Sequence, residues 1–446
     1  MKRHLGMFLR TLVFQGFMTA SILRSATPEW PQWRGPDGQG HAAPGAHPPL
    51  RWSETEGVVW KTPLPGRGWS SPVIDGRQIW MTAAHETAAK PEDVKRRLAA
   101  NTADQPLVLL EKVDLHALCV DRDTGRILHD LRIFSEREPQ WVHELNSYAS
   151  PTPVLESGRA YFHFGTFGTA CVDTRSGRLL WTNATLRIMH ENGPGSSPIL
   201  WKDRLIFHLD GSDDQSIVAL DTASGRVAWR TRRSGEMASN PQLKKSYATP
   251  AIVTLDGREQ VVSQGADWLY GYDPATGQEL WKVRYGQLGF SHSARAVFRD
   301  GVAYLSTGFM KPEIQAIQLD AKPQPVHRWK YSKGAPTMPS PLLVGDELYF
   351  VADSGGFFTC LDARTGAEHF RERLGGNHNA SPMYAGGWIY LPSREGSVLV
   401  LEPGARFQPI ATNRVTGKIL ATPAVVGRSL FLRTDQALYR IESSTR

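Results

Sequence analysis

The segment LYGYDPATGQELWKV, Leu269 to Val283, is one copy of a unit that recurs along the chain, and no other feature restricts the fold so strongly. Related copies are TACVDTRSGRLLWTN from Thr169, IVALDTASGRVAWRT from Ile217, FTCLDARTGAEHFRE from Phe358 and, more loosely, HALCVDRDTGRILHD from His116. Each alternates apolar residues, passes through Asp-x-x-Thr/Ser-Gly, and alternates again toward Trp or a substitute. Asp supplies local hydrogen bonds and Gly a positive φ, so the unit predicts two strands joined by a tight turn. A second hairpin precedes each copy, opened mostly by Ser/Thr-Pro. These openings start at Ser70, Ala149, Ser196, Ala248, Pro339, Ala380 and Ala421, and SARAVFRDGVAYLST from Ser293 fills the one gap.

Four strands recurring roughly every 40 to 50 residues make a propeller blade. Eight openings therefore predict an all-β chain, an eight-bladed β-propeller of four-stranded antiparallel blades. The last copy, from Ala421, stops after ALYRIES without an outer strand, whereas VVWKTPL at Val58 is a Trp strand with nothing before it. Val58 to Leu64 is expected to complete the last blade, so that the closed ring leaves no unpaired edge there. The domain reading is a signal peptide over 1–26, an N-terminal extension over 27–57 that packs on the propeller, and the propeller itself over 58–446.

Lys2, Arg3 and Arg10 precede an apolar run from Thr11 to Leu23 and small residues at Ser25 and Ala26. That pattern predicts export to the periplasm or the extracellular medium, and no later segment is long and apolar enough to span a bilayer. Loss of the segment's four basic residues, Arg24 included, lowers the formal charge of +7 to about +3. No basic footprint for nucleic acid is left. Cys119, Cys171 and Cys360 fall on third strands of three different blades, as small buried hydrophobes, and their separation offers neither a vicinal disulfide nor a lipid anchor.

Trp60, Trp181, Trp229, Trp281 and Trp329 recur at the start of the outermost strand, with His129 and Phe370 in their place in two blades. A flat ring with one N–H donor there can pack on the next blade, so these aromatics read as structural docking groups. The Asp-x-x-Thr-Gly-x-x-x-Trp core resembles the tryptophan-docking repeat of the pyrroloquinoline quinone (PQQ)-like β-propellers over everything after Val58. WPQWRGPDGQG, Trp30 to Gly40, with the run into WKTPLPGRGWSSP, is similar to the secreted PQQ-binding-like propellers related to the outer-membrane β-barrel assembly lipoprotein. The same blades serve quinone enzymes and proteins that only bind others, so the repeat speaks for fold and leaves function open.

Strand order assigns each loop to a face. The first-to-second and third-to-fourth turns share one face and are short. The second-to-third loops and the links between blades share the other, which carries the long insertions Ala83 to Leu115, Ser135 to Tyr148 and Ser234 to Tyr247. Within the first insertion, PEDVKRRLAAN predicts a helix begun by Pro91 and supported by Glu92 with Arg96 and Asp93 with Arg97. Residues just before each opening are expected to ring the central channel: Trp69, Asn146, Tyr148, His190, Glu191, Asn192, Lys245, Tyr247, His292, Arg295, His378 and Asn379. Second-to-third loops add Asp210, Asp213 and Asp214 in HLDGSDDQS, and Asp267 with Trp268 in GADWLY. The set composes a polar and aromatic funnel suited to a ligand.

DGSDDQS lacks the EF-hand spacing and reads as a solvated turn, and His190, His292 and His378 come from separate blades with no short ligand spacing behind them, so no metal site is expected. No Gly-x-Ser-x-Gly elbow appears. The favoured expectation is a binding or scaffold module, with a protein or small-molecule ligand at the insertion-bearing face, acting as a monomer with no cofactor. The alternative that the resemblance implies is a PQQ- and calcium-dependent dehydrogenase, with Trp268 or Trp69 stacking the quinone and Glu191, Asn192 and Asp210 holding calcium. The paired cysteines that flank the quinone in many such enzymes, and their long insertions, are missing. A hydrolase or lyase built on the axial histidines ranks below both.

Overall fold

The structure, a computed structural model, describes residues 29–99, 105–286, 289–320 and 322–443. The signal peptide expected over 1–26 lies outside the described residues. Eight four-stranded antiparallel sheets follow one another as blades. Blade 1 comprises Val73–Asp75, Gln78–Ala88, Leu110–Asp121 and Ile127–Arg137; blade 2 comprises Val154–Glu156, Arg159–His163, Thr169–Asp173 and Leu179–Asn183. Blades 3 to 7 begin at Ile199, Ala251, Val297, Leu342 and Met383. Blade 8 takes Ala424–Val426, Ser429–Arg433 and Ala437–Ile441 from the end of the chain and Val58–Pro63 from its beginning. Trp60 to Pro63 pair in antiparallel register with Arg440 to Ala437, so the expected latch closes the ring.

Alternation along each strand sends one set of side chains to the preceding blade and the other to the next. In blade 1, Ile79, Met81, Leu118 and Val120 pack with Leu430, Phe431 and Tyr439 of blade 8. Trp80, Ala117 and Cys119 face Leu155, Ala160 and Phe162 of blade 2. The three cysteines are buried and unpaired, and burial pushes the Cys171 and Cys360 thiols up to about 12.

The docking aromatics join these faces at the rim. Nε1 of Trp60, Trp181, Trp229 and Trp329 donates to the carbonyl of Arg122, Thr222, Pro274 and Ala363, in each case the residue after the turn Asp of the following blade, at 2.9 to 3.1 Å. The same turn's glycine must lack a side chain: a Cβ on Gly277, whose φ is +73°, would lie 2.5 Å from the Trp229 ring. Trp281 has no such turn opposite it and donates to Gln260 Oε1 of its own blade at 2.7 Å.

The Ser/Thr of each opening proves to be an inter-blade bond. The backbone N–H of Ser71 donates to Thr152 Oγ1, Thr152 to Ser197 Oγ, and Ser197 to Thr249 Oγ1, at 2.9 to 3.0 Å. Arg295, Ser340 and Ser381 continue to Ser340, Ser381 and Thr422. Arg295 stands where the other blades carry a hydroxyl, and the girdle is interrupted before it.

Residues 30–42 run across the channel at the short-turn end. Trp30 exchanges two backbone bonds with Ile74, and Leu155, Phe298 and Tyr384 donate their amides to Pro31 O, Gln39 Oε1 and Gly40 O. All four partners occupy the same position, the middle residue of a first strand, in blades 1, 2, 5 and 7. Arg34, fully buried, donates to Gln39 O and Pro341 O at 2.7 Å. The N-terminal segment thus corks the channel on the face that the turns keep trimmed.

On the other face the first insertion extends blade 1 and carries the expected helix begun by Pro91, but with other ion pairs. It is largely strand: the second strand of blade 1 runs to Ala88 and the third starts at Leu110, with a helix only over Pro91–Leu98. Arg96 pairs with Asp93 and Glu138, and Arg97 donates to the Leu110 and Pro139 carbonyls, in place of the expected i,i+4 pairs. Two small ribbons, Leu107–Val108 with Val142–His143 and Gly289–Phe290 with Phe309–Met310, enlarge the same face.

Candidate functional site

The structure gathers the sequence candidates into three groups at blade junctions. The first joins blades 1 to 3. His190 Nε2 accepts the Thr166 amide at 3.0 Å, its own amide donates to Gln140 Oε1, and its carbonyl accepts Tyr247 Oη at 2.6 Å. Tyr148 Oη donates to the Gln140 carbonyl, and Asn146 Nδ2 spans the carbonyls of Asn192 and Pro194. Glu191, at φ 67°, accepts from Ser212 Oγ. Burial holds the Lys245 ammonium down to about 8 against the attraction of Glu191.

The second group is a buried network across blades 3 to 5. Asp210 receives both Nε and Nη2 of Arg233, at 3.0 and 2.8 Å, and Arg233 also reaches Ser263 Oγ. Burial opposes the Arg233 charge, but Asp210 overcomes it and raises the guanidinium above its ordinary range. His208 Nε2 meets Ser263 Oγ, and His292 Nε2 meets Ser246 Oγ at 3.0 Å. The third group, between blades 6 and 7, sets His378 Nδ1 on the Pro392 carbonyl at 2.8 Å and Asn379 Nδ2 on Met338.

Four candidates lie elsewhere. Trp268 packs against the blade 3 to 4 link at Gly235, under Lys282 and Arg284, and its Nε1 is spent on the Glu236 carbonyl. Asp267 accepts the Gly289 amide. Arg295 turns toward the cork, where Gly38, at φ +70°, must lack a Cβ that would fall 2.1 Å from Nη1. Trp69 stays at the blade 8 to 1 link beneath the Arg67 guanidinium.

Seven candidates keep one buried polar atom without a hydrogen-bond partner: Trp69 Nε1, His190 Nδ1, Asn192 Oδ1, His292 Nδ1, Arg295 Nε, His378 Nε2 and Asn379 Oδ1. Burial holds His190 at about 3 and His292 at about 4, and lowers His378, so these imidazoles are neutral. Each offers one lone pair or one N–H according to tautomer. Unpaired buried groups of this kind call for a ligand, an ion or ordered water. Sequence reasoning missed Gln140, Thr166, Arg233 and Gln264, which hold these groups; nothing in the repeat marks them, since they lie on loops or at strand ends.

The donor set for quinone and calcium is not assembled. Asp210 is committed to Arg233, Trp268 stands outside the funnel, and Asp213 accepts the Met189 and Asp214 amides as a loop brace. Asp214 pairs with Arg230 and Arg232. Among the described residues, the group of three or more His, Cys, Asp or Glu side chains close enough to share a metal ion is His85, His116 and Asp130, on the long strands of blade 1.

A family model described as outer membrane protein assembly factor BamB matches residues 168–322 and, overlapping them, 265–406, more than half of the chain. The quinohemoprotein alcohol dehydrogenase of Comamonas testosteroni is 23% identical over 238 residues, 46% of this chain and 32% of that protein. The chain therefore spans about a third of that relative's length. Among solved structures, BamB from Moraxella catarrhalis aligns with a TM-score of 0.53 at 15% identity over 74% of this chain and 93% of that one. A europium-containing methanol dehydrogenase aligns with a TM-score of 0.58 at 11% identity over 91% and 90%. At such identities the solved structures speak for the fold.

Proposed function

Because this chain belongs to the PQQ-like β-propeller family whose model is described as outer membrane protein assembly factor BamB, we propose that it is an exported binding scaffold, working in the periplasm or outside the cell. Its ligand, a protein segment or a small polar molecule, is taken at the insertion-bearing face over the funnel. The observation that carries this reading is the asymmetry of the channel: the N-terminal segment corks one end and covers the unpaired polar atoms of Trp30, Arg34 and Arg295 there, while six more belong to residues that open the innermost strands at the other. Converging polar groups in such a place orient a ligand, and its loss leaves them costly. Met189, Phe309 and Met310, 39%, 55% and 57% exposed, add apolar contact area on the same face. No helix among the described residues is long and apolar enough to cross a membrane.

The experiment is site-specific photocrosslinking in the producing cell, with the crosslinker at Met189 or Phe309 on one face and at Asp75 or Arg178 on the other. Adducts are expected at the first pair only, and replacement of His190, Glu191 and Asn192 together by alanine should abolish them with the fold intact. Charge reversals at Asp75, Arg126 and Arg178 should leave them unchanged. Adducts confined to the short-turn face would move the site. Incubation with PQQ and calcium, followed by absorption spectroscopy and mass spectrometry, tests the dehydrogenase alternative; a stable holoprotein would replace the scaffold reading.

A further inference from the structure

Among the described residues, blade 1 alone has second, third and fourth strands that all exceed ten residues, at 11, 12 and 11. The added length carries chemistry. His85 on the second strand lies opposite Asp114 of the third, two residues from His116, and Asp130 of the fourth lies opposite Leu118, again two residues from His116. Cross-strand and diagonal neighbours share a sheet face, so the three side chains form one diagonal across three strands. That face is the one Met81 and Leu118 turn toward blade 8. The group therefore lies beside the blade 8 to 1 link, where Arg67 exchanges backbone bonds with Ala84.

His116 Nδ1 is 2.6 Å from Asp130 Oδ1, His85 Nε2 is 4.0 Å from Asp130 Oδ2, and the two imidazole centroids are 4.2 Å apart. Ligand atoms of a tetrahedral zinc site, with bonds of about 2.0 to 2.1 Å, are separated by roughly 3.4 Å. The observed spacings bracket that value, and small side-chain rotations bring all three onto one ion. His85 Nε2 is buried without a hydrogen-bond partner, although the side chain as a whole is 39% exposed. Lys112 neutralises Asp114 at 2.8 Å, so Asp130 supplies the anionic ligand.

We propose that His85, His116 and Asp130 bind a divalent transition-metal ion of the zinc class, with the fourth coordination position open toward solvent and available to an exogenous donor. Two imidazoles and one carboxylate suit zinc, cobalt or nickel and not calcium or magnesium, which take oxygen donors. Ligation through His116 Nδ1 takes the tautomer with its proton on Nε2, so the hydrogen bond to Asp130 is exchanged for the two metal bonds.

Cobalt is the probe, because tetrahedral cobalt absorbs intensely in the visible range. The full mature chain titrated with cobalt chloride should take up one ion per chain with tetrahedral bands, and zinc chloride should displace it and raise the melting temperature. His85→Ala and Asp130→Asn should each weaken binding about tenfold or more and lose the bands, with an unchanged circular-dichroism spectrum, as partly exposed positions allow. His369→Ala, at an exposed position on another blade, should bind as wild type. A wild-type chain without tetrahedral bands, or either site variant binding like wild type, overturns the proposal and leaves an ordinary His116–Asp130 hydrogen bond. If His85→Ala were to unfold, Asp130→Asn and the zinc-induced thermal shift decide the matter.

Discussion

At the scale of the residue, one indole does two jobs in the docking lock, covering apolar surface and answering a carbonyl on the next blade. Trp229, 8% exposed with Nε1 3.1 Å from the Pro274 carbonyl, separates the two. Trp229→Ala should cost about 3 to 5 kcal/mol in denaturant unfolding, and Trp229→Phe, which keeps most of the area and loses the bond, about 1 to 2 kcal/mol. Near-equal costs would make the bond the dominant part and refute this division. The buried imidazoles set a pH dependence of their own. Burial holds His190 at about 3 and His292 at about 4, whereas an unfolded imidazole takes up a proton below about 6.5. Between those limits the unfolded chain binds more protons, so stability rises with pH and is lost as pH falls. The melting temperature is expected to be level above about pH 7 and to drop from about pH 6.5 toward 4, and the His190→Gln, His292→Gln double variant should show a shallower drop over that window. A drop of undiminished slope in the variant would assign it to carboxylates instead.

Elements of the ring were legible because each writes its own local chemistry. In the turns, Asp121, Asp173, Asp221, Asp273 and Asp362 each accept the amide three residues on at 2.7 to 2.9 Å, so the Asp-x-x-Thr/Ser-Gly spacing was a structural code. The missing outer strand of the last repeat and the surplus strand at Val58 could be matched by counting alone. Partners that depend on neighbouring blades were not legible: Ser/Thr-Pro marked a strand opening, but its hydroxyl accepts an amide from the preceding blade, which no single repeat reveals. Likewise Asp210 looked free for a ligand, because Arg233, its partner, belongs to the link beyond the fourth strand. The latch makes a prediction at this scale. Deletion through Leu64 strips the outer strand from blade 8, removes Trp60 from the Arg122 carbonyl, and leaves Ala437–Ile441 as an open edge. Thermal unfolding of that truncation should come well below that of the chain that keeps residues 27–64 and with aggregation; an unchanged melting temperature would show that the ring closes without the latch.

For the whole molecule, the decisive asymmetry is between an end sealed by the chain's own N-terminal segment and an end enlarged by insertions. Sequence reasoning expected the 27–57 extension to pack on the propeller but not its course across the channel, because residues 30–42 carry no repeat and make no regular strand; their path depends on glycines such as Gly38, and on Arg34 and Arg295. Burial lowers these guanidinium groups to about 9 and about 10, further helped for Arg34 by the like charge of Arg295. A cork and a latch differ in what their removal does. Deleting 30–42 while keeping 43–64 leaves every blade its four strands, so the ring should still unfold cooperatively, at a somewhat lower temperature because Trp30, fully buried, loses its place in the core shared by blades 1, 7 and 8. The amides of Ile74, Leu155 and Tyr384, which donate at 2.8 Å to Trp30, Pro31 and Gly40, should lose their protection against hydrogen exchange. Those of Leu438 and Tyr439, held within the latched sheet, should keep theirs. Protection lost throughout the ring would make residues 30–42 part of its closure, and protection kept at Ile74, Leu155 and Tyr384 would remove the cork, and with it the reason for assigning ligand access to the insertion-bearing face.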